Sequence, residues 1–222
     1  MSASDRPVRV LFIGNSYTAR NDLPQLVVRL AADATSPLVV ETRMVVAGGA
    51  SLRRHWNAPH ARDAIASDRW DWVVLQEQST LPVKNASRYH DNVRLFQPPI
   101  AAAGARMALY QTWARRDAPQ AQDTIDAAVA AIARECEARP VRVGAAWREA
   151  LRRDPSLPLY TNDGSHPTLL GSYLAACVFL TALLTRSPAS FAVADRLALP
   201  RDRASLTHEV ACGEGGRPVE HA

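Results

Sequence analysis

Short apolar runs alternate with segments of helical periodicity along this chain. Continuous apolar runs rich in β-branched residues and bounded by polar residues predict buried strands, and they cover residues 8–14, 38–48, 71–79, 105–114 and 141–147. Apolar residues at helical spacing predict helices between and after these strands, over residues 23–34, 60–69, 88–104, 123–139, 148–154 and 167–185, with a break near Pro98 and Pro99.

This alternation decides the expected fold class. Strands that alternate with helices are joined by right-handed crossovers, so they form a parallel sheet covered by helices on both faces. We therefore predict an α/β fold, a doubly wound sandwich with a five-stranded parallel sheet. A functional site in such a fold is expected at the carboxyl ends of the strands.

Composition and length fit one such domain with a tail. The chain has 222 residues, of which 47% are hydrophobic, enough for an ordinary core. We predict an α/β domain over residues 1–186 and a C-terminal extension over residues 187–222, partly packed and mobile at its end. The net charge is only +4, and the arginines are interleaved with acids, so a solvated surface is expected rather than a nucleic-acid interface.

Membrane and metal sites are not expected either. The uncharged run from His166 to Thr185 approaches the length of a membrane span, but it begins with Pro167 and contains polar residues, which favours a buried helix. The three cysteines are far apart and lack the spacing of a zinc site. No secretory leader is visible at the N-terminus. We therefore predict a cytoplasmic protein without cofactor or metal, of undetermined oligomeric state.

Chemistry-bearing residues follow the predicted strands. Ser16 ends the turn after strand one, Gly48 and Gly49 follow strand two, and Gln78 follows strand three. A serine nucleophile needs a base, and the base needs an acceptor that holds its tautomer. Asp163 and His166, three residues apart before the last helix, can supply both. A glycine N–H and a side-chain amide can serve as donors to an oxyanion.

This ordered set resembles the SGNH, or GDSL-type, esterase and lipase superfamily. The resemblance runs from Val8 to Leu184 and implies a flavodoxin-like three-layer αβα sandwich. It implies Ser16 as nucleophile, His166 as base and Asp163 as the carboxylate that orients the base. It also implies an oxyanion hole made of the Ser16 and Gly48 backbone N–H groups and the Gln78 amide.

Two motifs depart from the common pattern of that superfamily. Asn15 stands where Asp is usual, and Gln78 stands where Asn is usual. Together with the sequences GNSYT, GGASLRRHW and QEQS, they resemble a poorly characterised branch of the superfamily. Gly49 is an alternative donor to Gly48. Asn15, Trp56 and Trp113 are candidates for a substrate pocket, although Trp56 and Trp113 could equally pack in the interior.

The expected function is therefore that of a serine hydrolase. It would cleave an ester of a small acyl group, such as an acetyl group on a carbohydrate, through an acyl-enzyme intermediate. The expected partner is a small-molecule ester, with no nucleic acid and no membrane. The alternatives are an acyltransferase that uses the same triad, a flavodoxin-like binding module whose first loop cradles a phosphate, and a degenerate hydrolase without turnover.

Overall fold

The first strand, β1 (Val8–Gly14), lies inside a five-stranded sheet in the computed structural model, which describes residues 6–215. The strand order is β2-β1-β3-β4-β5, and every neighbouring pair is parallel. This is the flavodoxin-like order, so the predicted fold class is confirmed. The other strands are β2 (Val40–Val46), β3 (Trp72–Leu75), β4 (Arg106–Tyr110) and β5 (Arg139–Val141).

Successive side chains of β1 enter two separate cores. Val10 and Phe12 face one core, and Leu11 and Ile13 face the other. All four are buried, because helices cover both faces of a parallel sheet and leave neither face to water. This burial on both faces explains why the strand appears in the sequence as a continuous apolar run.

The helices divide between the two faces of the sheet. The core around Val10 and Phe12 is completed by α2 (Leu23–Ala32), α9 (Val143–Arg153), α10 (Leu169–Leu184), α11 (Ala192–Arg196) and α12 (Arg201–Gly215). The opposite core is completed by α3 (Leu52–Asn57), α4 (Pro59–Ala66), α6 (Ala86–Arg94), α7 (Gln97–Ala102) and α8 (Gln122–Glu135). The short helices α1 (Ser16–Ala19) and α5 (Leu81–Lys84) lie at the carboxyl edge of the sheet.

The fifth strand is the main error of the sequence prediction. We expected a strand over residues 141–147, but β5 ends at Val141 and α9 begins at Val143. Val143, Ala146, Trp147 and Ala150 are buried at helical spacing, so the apolar run belongs to a helix face. The bounds of β1 agree with the prediction, whereas β2, β3 and β4 are shorter than predicted and the polar residues after them lie in loops.

The C-terminal helices extend the first core. All but two of the residues of α10 are buried, Leu169 and Thr181 being the half-buried ones, as expected for an interior helix. Residues 192–215 of the predicted extension form α11 and α12, and their buried residues share the core with α10. The predicted mobile end lies outside the described residues from residue 216 onward. No helix within residues 6–215 is long and apolar enough to cross a membrane.

Candidate active site

Ser16 is the first residue of α1, and its side chain is half-buried at the carboxyl edge of β1. Its Oγ lies 2.9 Å from Nε2 of His166, and Nδ1 of His166 lies 2.6 Å from Oδ2 of Asp163. Because an ionised carboxylate only accepts, the network assigns the imidazole proton to Nδ1 and leaves Nε2 able to accept the Ser16 proton. The structure thus brings together the three residues that the sequence analysis selected.

Asp163 is fixed by hydrogen bonds from its own loop. Its Oδ1 accepts from the backbone N–H groups of Ser165 and His166, each at 2.9 Å, and from the Thr161 hydroxyl at 2.9 Å. The bond from the His166 ring, followed by those from the two N–H groups, lowers the pKa of Asp163 well below its ordinary range. About half of the side chain is exposed (49%), so its charge stays solvated and its main effect is to orient His166.

Ser165 anchors the loop that carries His166. Its hydroxyl lies 2.6 Å from the Tyr17 hydroxyl, and its carbonyl accepts from Nε1 of Trp113 at 2.9 Å. Tyr17 follows Ser16 in α1, and Trp113 follows β4. The loop is therefore tied both to the Ser16 turn and to the end of β4, which sets the distance between His166 and Ser16.

A stack of aromatic rings forms the floor beneath this loop. The Tyr17 and Trp113 rings are parallel with centroids 4.9 Å apart, and the Trp113 and Trp147 rings are parallel with centroids 3.8 Å apart. The edge-to-face contact between Tyr17 and His166, with ring centroids 5.4 Å apart, connects the stack to the His166 ring. Such large rigid rings restrict the motion of the groups packed on them.

Asn15 shapes the turn that presents Ser16. Its Oδ1 accepts from the Tyr17 N–H at 3.1 Å and so caps α1, while its Nδ2 donates to the Ala50 carbonyl at 3.0 Å. An ionised aspartate at this position would face the Ala50 carbonyl without a donor. The amide is therefore explained by its contact with the loop after β2.

Gln76 is a site residue that the sequence analysis missed. Its side chain is fully buried (0% exposed), and its Oε1 accepts from the Asn15 N–H at 2.9 Å and from the Thr18 hydroxyl at 3.1 Å. A Cβ on Gly14 would lie 2.6 Å from Thr18 Oγ1 and 2.7 Å from Gln76 Oε1. Glycine is thus required at position 14 for this close approach.

His55 supports the same turn from α3. It is buried, and its Nε2 donates to the Gly14 carbonyl at 2.7 Å. Burial lowers the pKa of His55, so its neutral form is favoured. His55 and Gln76 therefore hold both sides of the Gly14–Asn15 peptide. A lone histidine and a glutamine at a strand end give no sequence signal for this role.

Comparison with known proteins identifies the family. No protein-family model and no curated protein sequence matches the chain. A solved structure from Slackia heliotrinireducens, described as a candidate SGNH hydrolase, is 31% identical to it with a TM-score of 0.66, and the match covers 77% of this chain and 96% of that one. The chain belongs to the SGNH hydrolases.

Two further solved structures share the fold of this SGNH hydrolase. A DUF4886 family protein from Bacteroides uniformis is 20% identical with a TM-score of 0.70, and the match covers 94% of each chain. An acetylxylan esterase from Geobacillus stearothermophilus is 20% identical with a TM-score of 0.61, and the match covers 78% of this chain and 92% of that one.

Backbone N–H groups without acceptors in the described chain lie in the Ser16 turn of this SGNH hydrolase and in the loop after β2, which contacts that turn. Gly48 lies in a turn in which the Ala50 N–H donates to the Ala47 carbonyl at 3.1 Å, and Gly49 has a φ of +62°, which favours glycine. The N–H groups of Ser16, Gly48 and Gly49 have no hydrogen-bond acceptor among residues 6–215. Gly48 and Gly49 therefore both remain available as oxyanion donors.

Gln78 occupies a loop rather than a strand. We expected the third strand to extend to residue 79, but β3 ends at Leu75, so Gln78 lies beyond it. Oε1 of Gln78 accepts from the N–H and the hydroxyl of Thr80, at 3.0 and 2.9 Å. These bonds fix the amide orientation and leave Nε2 without an acceptor in the described part of the chain.

Glu77, between the two glutamines, joins the loops after β2 and β3. It is buried (5% exposed) and accepts from the N–H groups of Leu52 and Gln78, at 3.0 and 2.7 Å, and from Asn92 Nδ2 at 2.8 Å. Burial raises the pKa of Glu77. These contacts make Glu77 a support for the loops that carry Gly48 and Gln78.

The predicted pocket residues need correction. Asn15 and Trp113 are only 3% and 1% exposed, because Asn15 caps α1 and Trp113 lies inside the aromatic stack, so neither lines an open pocket. Trp56 is half-buried and packs edge-on against Phe96, with ring centroids 5.4 Å apart.

Within residues 6–215, no cluster of three His, Cys, Asp or Glu residues could hold a metal ion.

Proposed function

We propose that this SGNH hydrolase is a serine esterase that cleaves esters of a small acyl group. Ser16 is the nucleophile, His166 the general base and Asp163 the residue that orients the base. The observation that supports this proposal is the continuous hydrogen-bonded path from Ser16 Oγ through the His166 ring to Asp163, with steps of 2.9 and 2.6 Å.

The proposed reaction proceeds through an acyl-enzyme. Ser16 Oγ attacks the ester carbonyl carbon while His166 Nε2 takes the hydroxyl proton, and the carbonyl oxygen becomes an oxyanion. The N–H groups of Ser16 and Gly48 and the Gln78 amide donate to that oxyanion. The C–O bond to the alcohol then breaks, and His166 returns the proton to the leaving oxygen. Water attacks the acyl-Ser16 ester by the same route and regenerates the serine.

The preference for a small acyl group follows from the packing below the site. Tyr17, Trp113 and Trp147 are all buried and fill the interior beneath the Ser16–His166 pair. A long acyl chain would have to displace this stack. The acetylxylan esterase with the same fold adds support for an acetyl or similarly short group, and the expected partner is a small-molecule ester rather than nucleic acid or membrane.

The test combines a covalent probe with turnover of aryl esters of increasing acyl length. A fluorophosphonate should label the wild type and not Ser16→Ala, and Ser16→Ala should lower kcat about a thousandfold or more without unfolding the protein. Turnover should fall as the acyl chain lengthens from acetyl to octanoyl. Full activity of a folded Ser16→Ala variant would refute the assignment.

A cytoplasmic location is also proposed. Cys136, Cys177 and Cys212 are all free thiols, which is typical of proteins in a reducing compartment. The test is fractionation of cells that express the protein. Activity in the soluble cytoplasmic fraction would support this assignment. Recovery of the activity only outside the cytoplasm would contradict it.

A further inference from the structure

The arginines of this protein differ in how their charges are balanced. Several on the outer helices and the amino edge of the sheet pair with carboxylates, as Arg94 does with Glu135 and Arg152 with Glu149. The cations in the loops and helical turns that follow β1 to β4 at the carboxyl edge of the sheet form no ion pair with any described residue: Arg20, Arg53, Arg54, Lys84, Arg88, Arg115 and Arg116.

The described acids at the same edge of the sheet are four, against these seven cations. Glu77 is buried and bound by neutral donors, and the Asp163 carboxylate is bound to His166. Asp22 and Asp117 form no ion pair with the described residues either. The edge of the sheet that carries Ser16 therefore has an excess of positive charge, and such a field attracts anions to it.

Arg116 is a cation fixed beside the base. Its Nη2 donates to the carbonyls of Tyr160 and Thr161 at 3.1 and 3.3 Å, and its guanidinium lies 5.2 Å from the centroid of the Tyr160 ring. Its backbone N–H donates to the Gly164 carbonyl at 2.9 Å. These contacts set the position of an exposed guanidinium next to the loop of His166, and none of them cancels its charge.

Arg54 lies on the other side of the nucleophile. It belongs to the first turn of α3, and its exposed side chain has no hydrogen bond with the described residues. The start of α3 is tied to the Ser16 turn, because Asn15 Nδ2 donates to the Ala50 carbonyl. Since the strands run in the order β2-β1-β3-β4, the loops of Arg54 and Arg116 stand on either side of the loop that carries Ser16.

We propose that the ester cleaved at Ser16 carries a negative charge on its alcohol half, that Arg116 binds that charge, and that Arg54, on the other side of Ser16, strengthens the positive field that attracts it. The aromatic floor limits the acyl half to a small group, so the charge must belong to the alcohol half, which extends over the exposed rim. A carboxylate there would receive charge-assisted hydrogen bonds from a guanidinium that is already positioned. This inference rests on the proposed esterase function and specifies the substrate class.

The experiment compares two chromogenic acetates of the same shape, 5-acetoxy-2-nitrobenzoate and the neutral 5-acetoxy-2-nitrobenzamide. The measured quantity is the ratio of kcat/KM for the anionic ester to that for the neutral one. Arg116→Gln should lower this ratio about tenfold or more, mainly through KM, because a hydrogen bond to a charged group is lost. Arg54→Gln should lower the ratio too. The ratio for Arg116→Lys should lie between that for Arg116→Gln and that for the wild type.

Arg152→Gln is the matched control. Arg152 is an exposed arginine near the C-terminal end of α9 that pairs with Glu149, and this variant should keep the wild-type ratio. The wild-type ratio should also fall between about 0.1 M and about 1 M salt, as the Debye length falls from about 10 Å to about 3 Å.

The outcomes separate the two proposals. Ser16-dependent turnover with the same ratio in wild type, Arg116→Gln and Arg54→Gln would overturn the anionic substrate and leave the esterase intact. If neither ester is turned over in a Ser16-dependent way, the esterase function itself fails, and this inference fails with it.

Discussion

Replacement of Gln76 by alanine should destabilise the protein and disorder the nucleophile turn. Gln76 Oε1 is the acceptor for two buried donors, the Asn15 N–H and the Thr18 hydroxyl. Each buried donor left unsatisfied costs about 1–3 kcal/mol, so the free energy of unfolding should fall by roughly 2–6 kcal/mol. For a protein of this size, each kcal/mol lowers Tm by about 2–4 °C, which predicts a fall of roughly 4–24 °C.

Urea unfolding followed by tryptophan fluorescence measures this change, and the slope with urea should stay constant if only stability is altered. Gln78→Ala is the control, because the Gln78 side chain bonds only to Thr80 in its own loop and should change stability by less than about 1 kcal/mol. A Gln76→Ala protein as stable as the wild type would refute the assignment of Gln76 as the acceptor that supports the turn.

Further variants test the other groups of the site. Gln78→Ala should lower kcat about 10²–10³-fold with little change in KM, and Gln78→Asn should retain part of the rate; equal rates in all three proteins would contradict its role as an oxyanion donor. Removal of Asp163 should cost less activity than removal of His166, because Asp163 orients the base and does not itself take the proton; the reverse order in kcat/KM would contradict the triad. Burial lowers the pKa of His55, so the unfolded chain binds its proton more readily, and stability should fall as the pH drops below about 6.5. His55→Gln should flatten that slope in urea titrations between about pH 5 and 7, and an unchanged slope would show that His55 is not buried as the neutral form.

Local sequence signals were sufficient to select the hydrogen-bonded residues Ser16, His166 and Asp163 and to predict most of the sheet. Ser16 directly follows a buried strand, and Asp163 lies three residues before His166, ahead of a helix whose cap is Thr168. Each of these motifs is complete within a few residues. The residue type and the position next to a strand or helix end therefore already limit which groups each side chain can contact. Parallel strand order then brings the two motifs to the same edge of the sheet.

The supports of the site depend on contacts that no local pattern contains. Gln76 and Gln78 have the same side-chain type, but β3 ends at Leu75 and the two residues lie in different surroundings. Gln76 is buried and accepts from the Asn15 N–H of the turn. Gln78 is half-buried, and its Oε1 accepts from Thr80 while its Nε2 has no acceptor among the described residues. Trp113 lies in the interior because Tyr17 and Trp147, distant in sequence, cover its two faces. The error at β5 has a similar origin, since a short apolar run fits a strand or a buried helix face equally well.

The 150 positions that separate Ser16 from His166 have a consequence for the order in which the protein becomes reactive during synthesis. Translation delivers β1 and the serine first, while the base and its carboxylate emerge only after four of the α/β crossovers have been made. Chains fold from the N-terminus as they leave the ribosome, so the nascent serine remains an ordinary, unactivated hydroxyl through most of elongation. A chain arrested before Asp163 should therefore not be labelled by a fluorophosphonate, and chemical reactivity should appear only when the loop of Asp163 and His166 and the α10 helix have packed onto the sheet.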